Sequence, residues 1–236
     1  MLWFKAWLET RWGLLFLFGF YLFIWTVASV SSHKTPDNAD KPPNRAGPLD
    51  VIAFSWIAAT VTLAGAGIKT QSGGLHQTKG LHGSTQYTLS LPVSRLRLAV
   101  VRSAVGLVET AFLILVLSAV GAYLLSDLIT QATFGDMLAY LVVSLICSSS
   151  FYFLSMFLGA FFDDSLRIAG SMAILAILVG LDLDNVLPTY LNFFRPMGAG
   201  SPLITHTIPW TILGGALVAA AILFVATVKV LQAQEY

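Results

Sequence analysis

Apolar stretches about as long as a bilayer-spanning helix occupy most of this chain. A helix needs about 20 mostly apolar residues to cross a hydrocarbon core about 30 Å thick. Six stretches meet or approach that length, namely residues 13–30, 51–68, 98–125, 137–162, 168–187 and 208–228. Charged residues make up 11% of the chain, against about 25% in an ordinary soluble domain. The sequence therefore predicts an all-α, polytopic membrane protein with six transmembrane helices.

Little of the chain remains once six spans are counted. The 236 residues form a single transmembrane domain, and no connection is long enough for a separate soluble domain. An enzymatic or motor unit would therefore lie within the membrane bundle or on another chain. The net charge of +1 gives no basic field for a nucleic-acid partner. Cys147, the only cysteine, allows neither an intrachain disulfide nor a cysteine-rich metal site.

Three segments outside the spans have a distinctive composition. Residues 1–12 contain three tryptophans and predict an interfacial helix lying among the lipid headgroups, with a helical extension of the first span as the alternative. Residues 31–48 are polar and rich in proline, as in a flexible outer loop. Residues 188–206 are too apolar for a solvated loop and too rich in proline for a span. They predict a re-entrant or interfacial pair of short helices before the sixth span.

Basic residues between the spans determine the expected orientation, because positively charged loops resist translocation. Placing the N-terminus in the cytoplasm and alternating puts nine of the 13 basic residues inside and four outside. The inner set is Lys5, Arg11, Lys69, Lys79, Arg95, Arg97, Arg102, Arg167 and Lys229, and the outer set is Lys34, Lys41, Arg45 and Arg195. Both termini are therefore expected in the cytoplasm.

Glu109 is an acid in the middle of the predicted third span. It follows Arg102 by about two helical turns, which places both on one helix face with Glu109 about 10 Å deeper. An ionisable group at that depth costs about 2.5–3.5 kcal/mol on insertion scales and normally faces the bundle interior. Two interpretations stay open. Glu109 lines a cavity and contacts a proton or substrate, or it is a structural carboxyl hydrogen-bonded to a neighbouring helix.

Other patterns that could carry chemistry are weak. Residues 73–80 contain glycines and a lysine without the spacing of a nucleotide-binding P-loop. His76 and His82 have no neighbouring carboxylate cluster with which to bind a metal. Asp182 and Asp184 match the Asp-x-Asp pattern of some glycosyl transferases, but a helix end at the outer surface explains them better. We therefore predict no catalytic residues, no metal site and no cofactor on this chain.

The connection formed by residues 69–97 has the most structured pattern outside the spans. A glycine-punctuated stretch is followed by a helical piece, residues 84–91, which Pro92 ends. Ser94 can then cap the next helix at Arg95. A short helix held between two spans on the cytoplasmic side is well placed to dock a partner.

Residues 83–97 resemble the signature of type-2 ABC exporter permeases. That family has a G-[ST]-x-x-x-x-L-x-x-P-[VI]-[ST]-R-like segment between its second and third spans, and the six-span plan resembles the family over essentially the whole chain. The resemblance implies a coupling site made of Ser84, Thr85, Tyr87, Thr88, Leu89, Leu91, Pro92, Ser94 and Arg95. Relatives often carry a Glu-rich stretch upstream, where this chain has Gln77, Lys79 and His82.

The resemblance implies a permease subunit of an ABC exporter in a bacterial plasma (inner) membrane. It would move a substrate by alternating access, driven by a separate ABC ATPase subunit, in two copies, that binds ATP and Mg²⁺. A second permease subunit would complete a homodimer or heterodimer in the lipid bilayer. The chain itself would not be an enzyme. An ATP-independent carrier and a membrane-embedded enzyme are the alternatives, and the sequence does not reveal the substrate.

The predicted orientation can be tested with single cysteines. Cysteines at Asn38 and Asp127 should react with a membrane-impermeant thiol reagent added to intact cells, whereas one at Lys79 should react only after permeabilisation. Labelling of the Lys79 position from outside would reverse the orientation.

Overall fold

The computed structural model describes residues 14–23, 46–64, 95–124, 132–162, 164–183, 188–198 and 200–233, and every regular element in these ranges is helical. The main helices are α1 (Leu14–Phe23), α2 (Ala46–Leu63), α3 (Arg95–Leu124), α4 (Phe134–Gly159), α5 (Asp164–Leu183) and α7 (Trp210–Ala233). Between α5 and α7 lie two 3₁₀ helices, Thr189–Leu191 and Arg195–Met197, and the short helix α6 (Pro202–Thr205). The all-α prediction is confirmed for these residues.

Among the described residues, three helices are long and apolar enough to cross a membrane. Their apolar spans are Ala99–Ala119 in α3, Phe134–Gly159, which is the whole of α4, and Trp210–Val230 in α7. Shorter apolar helices cover Leu14–Phe23, Leu49–Leu63 and Leu166–Gly180. Large apolar side chains face outward along several helices, among them Phe16, Val108, Phe112, Leu217 and Ile222, all more than half exposed. Water disfavours so large an apolar surface, whereas lipid tails accept it, so these are the helices of a membrane protein.

Helix α4 lies at the centre of the bundle and packs against α2, α3, α5 and α7. Its buried positions include several small side chains, namely Ser144, Cys147, Ser148, Ser150 and Ser155. Small residues let neighbouring helix backbones approach closely, which is how helices gain packing energy in lipid. One such contact is directional, because the Ser150 hydroxyl donates to the Ala216 carbonyl of α7 at 3.2 Å.

Contacts between helix ends show that successive main helices from α2 onward run in alternating directions. The end of α2, the start of α3 and the ends of α4 and α7 meet in a small cluster of Ala64, Ala99, Tyr152, Met156 and Val228. Arg167, near the start of α5, bonds to the end of α2, so we call this the Arg167 end. At the opposite end, which we call the Asp136 end, the start of α4 meets α6 through Asp136 and His206.

Helix boundaries differ from the predicted spans by up to five residues, and α4, for example, is Phe134–Gly159 where residues 137–162 were predicted. Helix α2 begins at Ala46, five residues before the predicted span 51–68. Pro48 is compatible with this position because the first turn of a helix does not use its backbone N–H groups. Helix α5 begins at Asp164, so Arg167, which precedes the predicted span 168–187, lies one turn inside a helix. The predicted interfacial helix (1–12), most of the outer loop (31–48) and the connection 65–94 lie outside the described residues.

The segment 188–206 contains three short helical pieces where the sequence predicts a pair, and it packs against α2, α4 and α7. Phe193 makes an edge-to-face contact with Phe151 of α4, with ring centroids 6.5 Å apart, and Met197 is fully buried. The Tyr190 carbonyl lies against Gly215 of α7, where a Cβ would overlap it. The segment is therefore folded into the bundle rather than free in solvent.

Tyr152 of α4 lies directly against the backbone of α3 at Gly106. A Cβ on Gly106 would overlap the Tyr152 hydroxyl and two of its ring carbons, whereas a Cβ on Gly180 of α5 would meet no heavy atom within 4 Å. The two helices can pack this closely only because residue 106 has no side chain.

Gly106→Ala should therefore destabilise the bundle relative to Gly180→Ala. Both changes remove the backbone entropy cost of a helical glycine, so their difference isolates the overpacking at Tyr152, about 1–3 kcal/mol. Apparent melting temperatures of the two variants in one detergent measure it. Equal melting temperatures would show that α3 and α4 separate without cost.

Candidate functional site

Five polar side chains from three helices form a buried polar cluster inside the bundle, towards its Arg167 end. The cluster comprises Arg102 and Glu109 of α3, Tyr152 and Ser155 of α4, and Arg167 of α5. All except the partly exposed Arg102 are buried or nearly so. Polar groups at such positions in a membrane protein are costly and normally face one another rather than lipid.

Glu109 faces the interior of the bundle and is 2% exposed, whereas the preceding residue, Val108, faces outward. The charges of Glu109, Arg102 and Arg167 all act on the Tyr152 hydroxyl, which lies 3.5 Å from the Arg102 carbonyl oxygen. The carboxylate thus shares its surroundings with two guanidinium groups, which reduce the cost of burying it. The cavity role and the structural role of Glu109 both stay predictions.

Arg167 connects three helices through one nitrogen. Its Nη1 donates to the carbonyl oxygen of Val61 in α2 at 3.2 Å and to the Ser155 hydroxyl of α4 at 3.3 Å. The Ser155 hydroxyl in turn donates to the same Val61 carbonyl at 3.0 Å. Arg167 is 2% exposed and Ser155 is fully buried. This arrangement can hold helix ends in a fixed relation, because each bond crosses from one helix to another in a region without bulk water.

A second, exposed polar site lies at the Asp136 end. Thr133 and Asp136 form a reciprocal cap of α4, in which the Thr133 hydroxyl accepts from the Asp136 backbone N–H and Asp136 accepts from the Thr133 backbone N–H. The same carboxylate oxygen lies 2.8 Å from Nδ1 of His206, the residue that ends α6 in a left-handed conformation with φ 52°. The Tyr140 hydroxyl donates to the Met197 carbonyl at 3.1 Å nearby. These contacts attach the segment 188–206 to the start of α4.

The predicted coupling residues 84–94 lie outside the described residues, and Arg95 is the first residue of α3. Sequence reasoning identified Glu109 and its relation to Arg102, but it missed Tyr152, Ser155 and Arg167 as partners. The available signal was the concentration of hydroxyl groups in the middle of α4, which is unusual for a helix that faces only lipid.

Among the described residues, no group of three or more histidine, cysteine, aspartate or glutamate side chains is arranged to hold a metal ion. No family model matches the chain, and neither the curated proteins nor the solved structures gave a match. What the chain does must therefore be inferred from its own residues.

Substitutions at Glu109 separate the contribution of its hydrogen bonding from that of its charge. Glu109→Gln keeps the volume and a hydrogen-bonding carbonyl, so we expect near-normal accumulation and melting temperature. Glu109→Ala leaves buried polar neighbours without a partner and should lower stability by about 1–3 kcal/mol. Val108→Ala, on the outward face beside it, is the matched control. If Gln is as disruptive as Ala, the negative charge itself stabilises the bundle, and the interpretation of Glu109 as a carboxyl that acts only through hydrogen bonds is wrong.

Proposed function

We propose that this chain is the permease subunit of an ABC exporter, which moves its substrate by alternating access while a separate ATPase subunit hydrolyses ATP. The observation that carries the proposal is the segment 83–97, with Pro92, Ser94 and Arg95 at the spacing of the exporter permeases. Helix α3 begins at Arg95, so the segment leads directly into the membrane bundle. A short helix at that point is suited to dock the ATPase.

The proposal includes six membrane crossings. Besides the three longest apolar helices, α2 has 18 residues and α5 has 20, which correspond to about 27 Å and 30 Å. These lengths are close to the thickness of the hydrocarbon core. The remaining crossing is the predicted span 13–30, of which the structure describes α1, Leu14–Phe23. The proposed re-entrant segment is 188–206, whose irregular backbone is buried against three helices, as a membrane environment requires.

The orientation follows from the basic residues. The connection formed by residues 69–97 leaves the bundle at the Arg167 end and carries four of the nine inner basic residues, Lys69, Lys79, Arg95 and Arg97, so we assign this end to the cytoplasm. The N- and C-termini then also lie in the cytoplasm of a bacterial inner membrane. Two ATPase subunits, each with ATP and Mg²⁺, would dock there on a pair of permease subunits.

The coupling segment can be tested with substitutions that spare the membrane helices. On a helix, Tyr87 and Leu91 lie one turn apart on one face, and burying two such side chains in a partner groove stabilises docking by about 3–6 kcal/mol. Tyr87→Asp with Leu91→Asp should therefore abolish co-purification of the ATPase while leaving the accumulation of the chain unchanged. Gln86→Asp with Ser90→Asp adds the same charge on the neighbouring face and is the matched control.

The result also separates the alternatives. A wild-type chain that co-purifies with no ATPase and still moves solute in vesicles would be an ATP-independent carrier. Chemical conversion of a substrate by the purified chain, without nucleotide, would favour a membrane-embedded enzyme. Normal ATPase binding by the Tyr87/Leu91 double variant would place the docking surface elsewhere on the chain.

A further inference from the structure

The carbonyl of Val61 lies at a special point on the chain. It belongs to the last turn of α2, where carbonyl groups are commonly bonded by partners outside the helix. The neighbouring Thr60 carbonyl accepts from the Ala64 amide at 3.0 Å. The Val61 carbonyl accepts from the Ser155 hydroxyl of α4 and from Arg167 Nη1 of α5. Two other helices thus bond to the last turn of α2.

The charge of Arg167 suits this position. The C-terminal end of a helix carries a partial negative charge, and a cation placed there is stabilised. Because Val61 and Ser155 are fully buried and Arg167 nearly so, water does not screen this attraction as it would at a surface. The guanidinium also donates to Ser155, so the three groups close a triangle of hydrogen bonds at 3.0, 3.2 and 3.3 Å.

We propose that Val61, Ser155 and Arg167 form a clamp that transmits movement between the connection following α2 and the centre of the bundle. The chain leaves α2 three residues after Val61 and enters the connection that holds residues 84–95. A force on that connection would unwind a helix end that is bonded to no other helix. The clamp instead transmits the force to α4 and α5. Since α4 packs against α2, α3, α5 and α7, movement of α4 reaches the whole bundle. Arg167 is thus a positioning residue, and this role rests on the proposed function of the connection.

Amide hydrogen exchange of the full chain in lipid nanodiscs tests whether the clamp exists. Ser155→Ala should speed exchange in the last turn of α2 roughly fivefold, the effect of losing one ordinary hydrogen bond. The matched control is Ser171→Ala, which removes an equally buried hydroxyl that bonds only within α5, to the Arg167 carbonyl. Arg167→Lys, which keeps the charge and a donor, should have a smaller effect than Arg167→Met. Unchanged exchange at residues 62–64 in Ser155→Ala would overturn the clamp.

Adding ATP with Mg²⁺ to the complex of the chain and its co-purifying ATPase tests transmission. In the wild type and in Ser171→Ala, nucleotide should change exchange in α4 and α5. In Ser155→Ala it should change exchange only in the connection, with ATPase binding and hydrolysis retained. A wild-type response in Ser155→Ala, or no response of α4 in the wild type, would overturn transmission. If no ATPase binds the wild-type chain, the proposed function fails and transmission fails with it, while exchange without nucleotide still decides whether the clamp exists.

Discussion

In the hydrocarbon core of a bilayer, backbone N–H and C=O groups that are not bonded within a helix have no water to bind. The need to give these groups hydrogen-bond partners governs how the bundle is built. Within a helix, the backbone N–H and C=O groups bond to one another. Helix ends and irregular segments at membrane depth need hydrogen-bond partners from elsewhere in the protein. The structure meets this need with side chains of α4 and its neighbours. Ser155 and Arg167 bond to the last turn of α2, and Tyr140 reaches the Met197 carbonyl in the irregular segment 188–206. Two of these three donors belong to α4.

The central place of α4 follows from its side chains. A helix that contacts neighbours on several sides needs residues that permit close approach all round, and α4 alternates small hydroxyl residues with large rings. Ser144 and Ser148 are fully buried, while Phe151 and Tyr152 fill the spaces beside them. Because lipid gives helices no hydrophobic reason to associate, shape fit and a few hydrogen bonds have to stabilise the assembly. The opposite case is α7, whose outward face carries Leu217, Val218 and Ile222 in contact with the surroundings.

The helical class and the position of most apolar helices could be predicted from the sequence, because the length of an apolar run is a local property. Contacts between helices could not. Val61 and Arg167 are separated by 106 positions, and Tyr140 and Met197 by 57, so no local pattern relates them. The predicted helix boundaries were wrong where a residue type indicated a loop but contacts with other helices stabilise a helical conformation. Arg167 is the clearest example, because the predicted span 168–187 left this charged residue outside, whereas in the structure it lies inside α5 and bonds to the Val61 carbonyl.

The candidate site divides in the same way. Glu109 could be identified from the sequence because burying an acid in an apolar segment costs free energy, and an acid in such a segment is recognised without a structure. Tyr152 and Ser155 carry no such cost, and the hydroxyl groups along α4 indicate a buried face without identifying the charged group that it meets. The position of Tyr152 depends on Gly106, which admits its ring to the surface of α3. This contact is thus set by a residue without a side chain, for which periodicity and charge give no signal.

The two ends of the bundle differ in how polar interactions contribute to stability. At the Asp136 end, the His206 side chain is half exposed, and an ion pair or hydrogen bond in contact with water contributes little because water competes for both partners. The short helices there depend instead on the burial of Phe193 and Met197. At the Arg167 end the polar groups are shielded, so the same kinds of bond are stronger and their loss is more costly. Directional bonds therefore fix the relation of α2, α4 and α5 at the end where the chain leaves for residues 65–94. At the other end, the segment 188–206 is attached mainly by non-directional packing, which tolerates small shifts, together with the buried bond from Tyr140 to the Met197 carbonyl.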